Sequence, residues 1–96
     1  MAYTFRVTVA RTDEAESAEP VEFTVENHDD ILKILEMSQT VNRERLHLDE
    51  DGHRAFIVGL KLFGEVLIKH RKTEPFAGML PAFSEFMKQY KSLFKD

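Results

Sequence analysis

The residues best suited to chemistry in this 96-residue sequence are its four histidines and the carboxylates close to two of them. The densest group surrounds the predicted start of a helix and consists of His47, Asp49, Asp51 and His53. Imidazole nitrogens and carboxylate oxygens bind divalent metals, and both groups transfer protons in general acid–base catalysis. The group therefore raises the question of a metal or small-molecule site.

The spacing of this group favours a structural role. No two histidines lie four residues apart on one helix face, and Asp49-Glu50-Asp51-Gly52 lacks the third acidic position and the closing glutamate of a calcium-binding loop. Carboxylates at a helix start also accept from free backbone amides and offset the helix dipole. We interpret the group as helix capping and expect no cofactor. The alternative is a small-molecule or metal-binding protein, with catalytic use of His28, His47 or His53.

Motifs for nucleophilic catalysis and for nucleotide binding do not occur in the sequence. The chain has no cysteine, so it holds no thiolate nucleophile, thiolate metal ligand or disulfide. None of the serines lies in the Gly-x-Ser-x-Gly turn that exposes a serine nucleophile, and neither standard glycine-rich phosphate loop is present. We therefore expect a protein without enzyme activity.

Charge is distributed unevenly along the chain, whose formal net charge is −4. Residues 1–52 hold 5 Lys and Arg against 13 Asp and Glu, a net of −8, whereas residues 53–96 hold 8 against 4, a net of +4. An acidic chain is a poor candidate for nucleic-acid binding, which requires concentrated positive charge. The two halves are expected to complement each other, within one chain or between two copies.

A basic cluster lies near the predicted end of the second helix. Its candidate partner-binding residues are Lys61, Lys69, His70, Arg71 and Lys72. Cations at a helix C-terminus interact favourably with the exposed carbonyls, so a solvated helix end accounts for most of the cluster. The alternative is a site for a protein partner with an acidic surface, which a second copy of this chain would also present. Neither nucleic acid nor a membrane is expected as a partner.

Two segments of alternating apolar residues predict a β-hairpin. Apolar and polar side chains alternate from Tyr3 to Val9 and again from Val21 to Val25, the period of a strand with one buried face. The connection between them is short, which favours antiparallel pairing. A two-stranded sheet leaves two open edges, and such edges are commonly covered or paired with another chain. We expect a homodimer, formed through strand addition or through apolar helix faces.

The first predicted helix follows the hairpin directly. Asn27 is expected to cap it, with Asp29 and Asp30 in its first turn, where negative charge is favourable. The helix is expected to end near Thr40, because the residues that follow are largely polar. Val41–Leu48 is then a connector.

The second helix is predicted to start at the cap residue Asp49 and to run to about His70. Its apolar residues cover a wide arc, which indicates a central helix that is covered on more than one side. Pro75 and Gly78 break the helical pattern, and Pro81 suits the first position of a third helix. That helix carries an apolar stripe expected to pack into the core: Phe83, Phe86, Met87, Tyr90, Leu93 and Phe94.

These elements give an α+β fold of order β-β-α-α-α in a single domain spanning residues 1–96. Gly59 and Gly64 lie inside the second helix, where each costs about 1 kcal/mol relative to alanine. We expect close approach of a neighbouring element to compensate, the alternative being backbone contact with a ligand. No apolar stretch approaches the roughly 20 residues that span a bilayer, and no signal peptide is recognisable, so a cytoplasmic location is expected.

Three segments of the sequence resemble one known family. They are Val58-Gly59-Leu60-Lys61-Leu62-Phe63-Gly64-Glu65-Val66-Leu67, Val25-Glu26-Asn27-His28-Asp29-Asp30-Ile31 and Phe83-Ser84-Glu85-Phe86-Met87-Lys88. On them the chain resembles the small bacterial proteins of domain of unknown function 3861, over nearly its whole length. The resemblance implies an α+β fold in a bacterial cytosolic protein, and it supplies no catalytic residues. A non-enzymatic protein-interaction or regulatory module is the function we expect.

Overall fold

The structure, a computed structural model, describes residues 2–13 and 18–93, apart from the side chains of residues 39–43. Five elements follow one another along the chain: β1 (Tyr3–Val9), β2 (Val21–Asn27), α1 (Ile31–Arg45), α2 (Glu50–Lys69) and α3 (Phe76–Ser92). The two strands pair antiparallel. This order confirms the predicted α+β fold of a hairpin followed by three helices.

The chain divides into two compact units, a hairpin unit of Met1–Asp30 and a helical unit of Ile31–Asp96. The hairpin unit holds both strands, and the helical unit holds α1, α2 and α3. The expectation that residues 1–96 form one domain stays a prediction.

The hairpin unit has one apolar and one polar face because side chains alternate along each strand. Three cross-strand pairs make up the apolar face: Phe5–Val25, Val7–Phe23 and Val9–Val21. On the polar face Thr8 lies opposite Glu22, and its hydroxyl donates to Glu22 Oε1 at 3.1 Å. Arg6 Nε lies 4.0 Å from the same carboxylate oxygen. The predicted alternation is confirmed.

The segment between β2 and α1 differs from the sequence-based expectation. Asn27 is the last residue of β2, and its side-chain Oδ1 accepts from the amide of Asp29 at 3.0 Å. This bond closes an Asx turn, a role that asparagine fills as readily as helix capping. Because α1 begins only at Ile31, the prediction that Asn27 caps the helix and that Asp29 and Asp30 lie in its first turn was wrong.

The end of α1 also lies later than predicted. The helix continues to Arg45 rather than ending near Thr40. Polarity does not terminate a helix, and arginine and glutamate after Thr40 are good helix formers. The chain leaves the helical region just beyond, where His47 adopts a φ of 56°. The predicted connector Val41–Leu48 is therefore mostly the last turn of a helix.

The central helix α2 forms as predicted. Asp49 caps it, with Glu50 and Asp51 in the first turn, and His70 is its C-cap residue. Of its apolar side chains, Ile57 and Leu67 are fully buried. Together with Ile31 of α1, they form the buried apolar core among the described residues of the helical unit.

The third helix begins earlier than predicted. Its first residue is Phe76, and Pro81 lies inside it rather than at its start. The amide of Ala77 donates to the Thr73 carbonyl oxygen at 2.9 Å, so the helical turn is established before the proline is reached. Proline removes one intrahelical bond at that point. The five helical residues before it, which include alanine, methionine and leucine, are sufficient to extend the helix on its N-terminal side.

The two glycines of α2 have different environments. A Cβ at Gly64 would lie 3.1 Å from Phe83 Cζ, so the absence of a side chain lets α3 approach closely. The expected close approach is thus confirmed for Gly64. At Gly59 a Cβ would have no atom of the described residues within 4 Å, and the same expectation is wrong there.

Candidate functional site

An apolar pocket opens within the helical unit where the α1–α2 loop meets α2 and the second half of α3. Its volume is about 420 Å³. It is lined by Leu46, Leu48, Phe56, Phe86, Gln89, Tyr90 and Leu93. This volume lies within the range of about 300–1,000 Å³ that is typical of binding pockets.

The walls of the pocket follow from helical spacing and from ring packing. Three residues of α3 and its C-cap residue recur at intervals of three and four, which places them on one helix face: Phe86, Gln89, Tyr90 and Leu93. From α2, the ring of Phe56 meets Phe86 edge to face at 6.2 Å and Tyr90 at 5.2 Å between centroids. Such aromatic contacts are favourable beyond their buried area, and they pre-form this wall.

The chemistry of the pocket is that of an apolar receptor. Among its described lining residues, Gln89 and Tyr90 alone have polar side chains, and none is a carboxylate, an imidazole or an amine. Phe86 remains 43% exposed. The chemistry of this lining suits an apolar or aromatic group.

The predicted core stripe of α3 was therefore only partly correct. None of the described residues of α3 is fully buried, and Phe86, Tyr90 and Leu93 line an open pocket instead. Periodicity shows which residues share a face, but it does not show whether a neighbour covers that face. Phe94, which was assigned to the same stripe, lies outside the described residues.

The group at the start of α2 has separate structural roles. His53 is 2% exposed, and its Nε2 lies 3.2 Å from the hydroxyl of Ser38 in α1. Asp49 Oδ1 accepts from the amide of Gly52 at 2.6 Å, which is the predicted N-cap bond. Asp51 lies 3.7 Å from Arg54 on the solvent side.

This group does not converge as a set of metal ligands. His47 is exposed in the loop, whereas His53 is buried in the helical unit. Among the residues that the structure describes, no group of three or more His, Cys, Asp or Glu side chains is placed to hold a metal ion. The capping interpretation is confirmed for Asp49, and the metal-binding alternative gains no support from the geometry.

The pair Ser38 and His53 has the residue types of a nucleophile and its base, but not the required hydrogen bonding. The hydroxyl of Ser38 lies 2.6 Å from the carbonyl oxygen of Ile34 and donates to it. A serine has one proton to donate, so the bond to the imidazole must run from Nε2–H to the serine oxygen. A catalytic pair needs the reverse direction and access to substrate.

The basic cluster lies at the C-terminal end of α2 with one outlying member. Arg71 Nη1 donates to the carbonyl oxygen of Ile68 at 3.2 Å, and the ring of His70 packs against Phe76 at 5.4 Å. Lys69 occupies the last turn of the helix. Lys61 lies eight residues earlier, about 12 Å along the axis. Several members thus stabilise the helix end, as expected.

Lys72 is exposed beside them in the turn after α2. Partner binding by Lys61, Lys69, His70, Arg71 and Lys72 stays a prediction. Within the described part of the chain, no helix has the length and apolar character needed to cross a membrane.

Comparison with known proteins places the chain in a family. Residues 3–92 match the family described as "Domain of Unknown Function with solved-structure structure (DUF3861)", so the chain belongs to this family. Its structure is similar to the crystal structure of a protein of unknown function (eca1910) from Pectobacterium atrosepticum SCRI1043. The TM-score is 0.82 at 33% identity, and the match covers 96% of this chain and 99% of that one. No curated protein matches the chain.

The family confirms the resemblance seen in the sequence, and no specific function accompanies it. The pocket itself was not predicted from the sequence. Leu46 and Leu48, which lie in the supposedly polar connector, were the available signal, because two leucines flanking an exposed histidine imply an apolar neighbour.

Proposed function

We propose that this chain is a non-enzymatic protein-interaction module that receives an apolar side chain of a partner protein in the pocket between α2 and α3. The observation that carries the proposal is the chemistry of the pocket: about 420 Å³ lined by leucine and aromatic side chains, with Gln89 and Tyr90 as polar groups. Binding hot spots of protein partners are commonly single large side chains that enter such pockets.

The size of the pocket supports a side chain as its occupant. A volume of about 420 Å³ is sufficient for one large side chain, and it lies within the range of known binding pockets. The edge-to-face contacts of Phe56 with Phe86 and Tyr90 hold the wall in place before binding, which reduces the entropy cost of association. A phenyl or indole ring fits these dimensions and this chemistry.

The same geometry supports a role without catalysis. Acid–base catalysis needs titratable groups that converge in a cleft with access to substrate. His53 is buried and bonded to Ser38, and Asp49 caps α2, so these side chains already have structural functions. Because these side chains already have structural functions, the small-molecule or metal-binding alternative is the less supported hypothesis.

Membership of the family supports a bacterial setting, since the similar solved structure comes from a bacterium. A cytoplasmic location and an acidic protein surface as partner of the basic cluster are parts of the same proposal. The latter predicts that complex formation weakens as salt concentration rises, because exposed charges are screened.

The test is a comparison of captured partners with the pocket open and filled. Leu93→Trp places a large ring on the lining of the pocket, whereas Ser92→Trp adds the same ring one residue away, at a position that does not line it. Circular dichroism first establishes that the wild type and both variants are folded. Each protein is then used to capture partners from the native cytosol. We expect a partner retained by wild type and Ser92→Trp and lost with Leu93→Trp.

The opposite result has a clear meaning. If Leu93→Trp captures every partner as efficiently as Ser92→Trp does, the pocket takes no part in binding and the proposed function is wrong. The variants also separate the pocket from the basic cluster, since neither changes a charge.

A further inference from the structure

The hairpin unit has an unpaired strand edge along β1. The sheet has the order β1–β2, and no further strand among the described residues pairs with either of them. None of the seven residues of β1 is buried, and on the apolar face Val9 is 61% exposed. An unpaired strand edge is a template for pairing with another chain.

The two edges differ in the protection that their side chains give. β2 carries Glu22 and Glu26, and charged residues on an edge discourage pairing with another chain. β1 has one charged residue, Arg6, and it contains neither proline nor glycine. The edge of β1 is thus the one that remains competent for strand addition.

We propose that a second copy of this chain pairs antiparallel with β1 across a two-fold axis at Val7, which joins two hairpins into a four-stranded sheet. The proposal deepens the proposed function, since it rests on the chain being a protein-binding module and names one partner. It uses a surface in the hairpin unit, separate from the pocket, so each proposal can fail without the other.

Charge excludes the register centred on Arg6, which is the middle residue of β1. An axis at Arg6 would set that arginine opposite its own copy, and like charges directly opposite are destabilising. An axis at Val7 instead sets Arg6 opposite Thr8 of the second copy and Phe5 opposite Val9. Apolar side chains then stay on one face throughout, because both strands keep the same alternation.

Symmetry selects a second copy of β1 rather than β2 as the partner strand. Pairing β1 with β2 of another molecule would leave one free edge on each side, and repetition of that contact gives an open filament. Pairing β1 with β1 uses both of those edges at once and closes the assembly as a dimer. The remaining outer edges are the two β2 strands that Glu22 and Glu26 protect.

A matched pair of charge variants tests this arrangement. Thr8→Lys and Thr4→Lys each put a lysine opposite a glutamate within the hairpin, Glu22 and Glu26 respectively, so both keep a favourable cross-strand pair. In the proposed dimer, however, Thr8 faces Arg6 of the second copy and Thr4 faces Ala10. Thr8→Lys therefore creates two like-charge contacts across the interface, and Thr4→Lys creates none.

Sedimentation velocity at about 1–200 µM measures the effect. We expect a wild-type dimer at tens of micromolar, an increase of about tenfold in its dissociation constant for Thr8→Lys, and a change below about threefold for Thr4→Lys. High salt should reduce the effect of Thr8→Lys by screening. Circular dichroism of both variants checks that the hairpin is intact.

Cross-linking gives an independent readout. The chain has no cysteine, so Val7→Cys introduces one thiol per molecule. Across the proposed axis the two residues lie about 4.5–5.5 Å apart between Cα atoms, within the range of a disulfide. Thr4→Cys is the control, because its two copies lie about 20 Å apart. We expect oxidation to give a covalent dimer with Val7→Cys and none with Thr4→Cys.

Three outcomes overturn the proposal: a wild-type chain that is monomeric at about 200 µM, equal dissociation of the dimers of Thr8→Lys and Thr4→Lys, or no preferential cross-linking of Val7→Cys. A dimer that both lysine variants leave unchanged would belong to a different surface. In each case the effect of Leu93→Trp on partner capture still decides the proposed function on its own.

Discussion

The Nε2–H of His53 in α2 donates to the hydroxyl oxygen of Ser38 in α1, and the 3.2 Å bond ties the two helices together. The direction is fixed by the 2.6 Å bond that Ser38 gives to Ile34. A buried imidazole is costly unless it is hydrogen-bonded, so this bond is part of what allows the polar side chain of His53 to be buried one helical turn from Ile57.

Ser38→Ala should lower the free energy of unfolding by about 1 kcal/mol, because it removes a partner of a buried donor. Ser84→Ala, at an exposed position of α3, is the control and should change the free energy of unfolding by only a few tenths of a kcal/mol. Urea unfolding followed by circular dichroism measures both. Equal effects of the two substitutions would show that the bond to His53 contributes nothing.

The two glycines of α2 give a second comparison. Gly59→Ala should raise the free energy of unfolding by about 1 kcal/mol, since helix propensity improves and the added methyl group meets none of the described residues. The free energy of unfolding of Gly64→Ala should be at least about 1 kcal/mol lower than that of Gly59→Ala, because the added methyl group would lie 3.1 Å from Phe83.

Thermal unfolding of both variants tests this difference. Combining Phe83→Leu with Gly64→Ala should recover part of the stability lost in Gly64→Ala, because the smaller side chain relieves the close contact. If Gly64→Ala stabilises the protein as much as Gly59→Ala does, the close approach of α3 to α2 at this point is incorrect.

The helix cap offers a test between capping and metal binding. Asp49→Ala should cost about 1 kcal/mol of stability, because the amide of Gly52 loses its 2.6 Å partner. Asp51→Ala should lower the stability by only a few tenths of a kcal/mol, since the ion pair of Asp51 with Arg54 is exposed to solvent. A metal site built from this group would instead be weakened by either substitution, and stability would then respond to chelators in the wild type alone.

The order of the elements could be predicted from the sequence because the hairpin and α2 have unambiguous local signals. The alternation of apolar and polar residues over Tyr3–Val9 indicates a strand and not a helix. Asp49 followed by two acidic residues indicates a helix start. The helix boundaries that were predicted wrongly are those at which one residue type is compatible with two structural roles. Asn27 favours an Asx turn as well as a cap, and Pro81 tolerates the sixth helical position as well as the first.

The sequence does not determine whether the apolar face of α3 is covered, although Leu46 and Leu48 were a signal for an apolar neighbour. Helical periodicity placed Phe86 and Tyr90 on one face together with Leu93, and the structure confirms that grouping. Whether the face is filled depends on the length of α1 and on the path of the loop through Leu46 and Leu48. Both follow from tertiary packing rather than from local pattern, so side chains that were expected in the core line an open pocket instead.

The measurement that tests the central claim most directly is a methyl NMR titration of the chain with indole, an analogue of a tryptophan side chain. If the pocket receives an apolar side chain, the methyl resonances of Leu46, Leu48 and Leu93 shift together and saturate with a dissociation constant near 1 mM, as expected for so small a ligand. Leu93→Trp should abolish the shifts at Leu46 and Leu48, and Ser92→Trp should retain them. Shifts that are absent, or that are confined to leucines away from the pocket, would contradict the account.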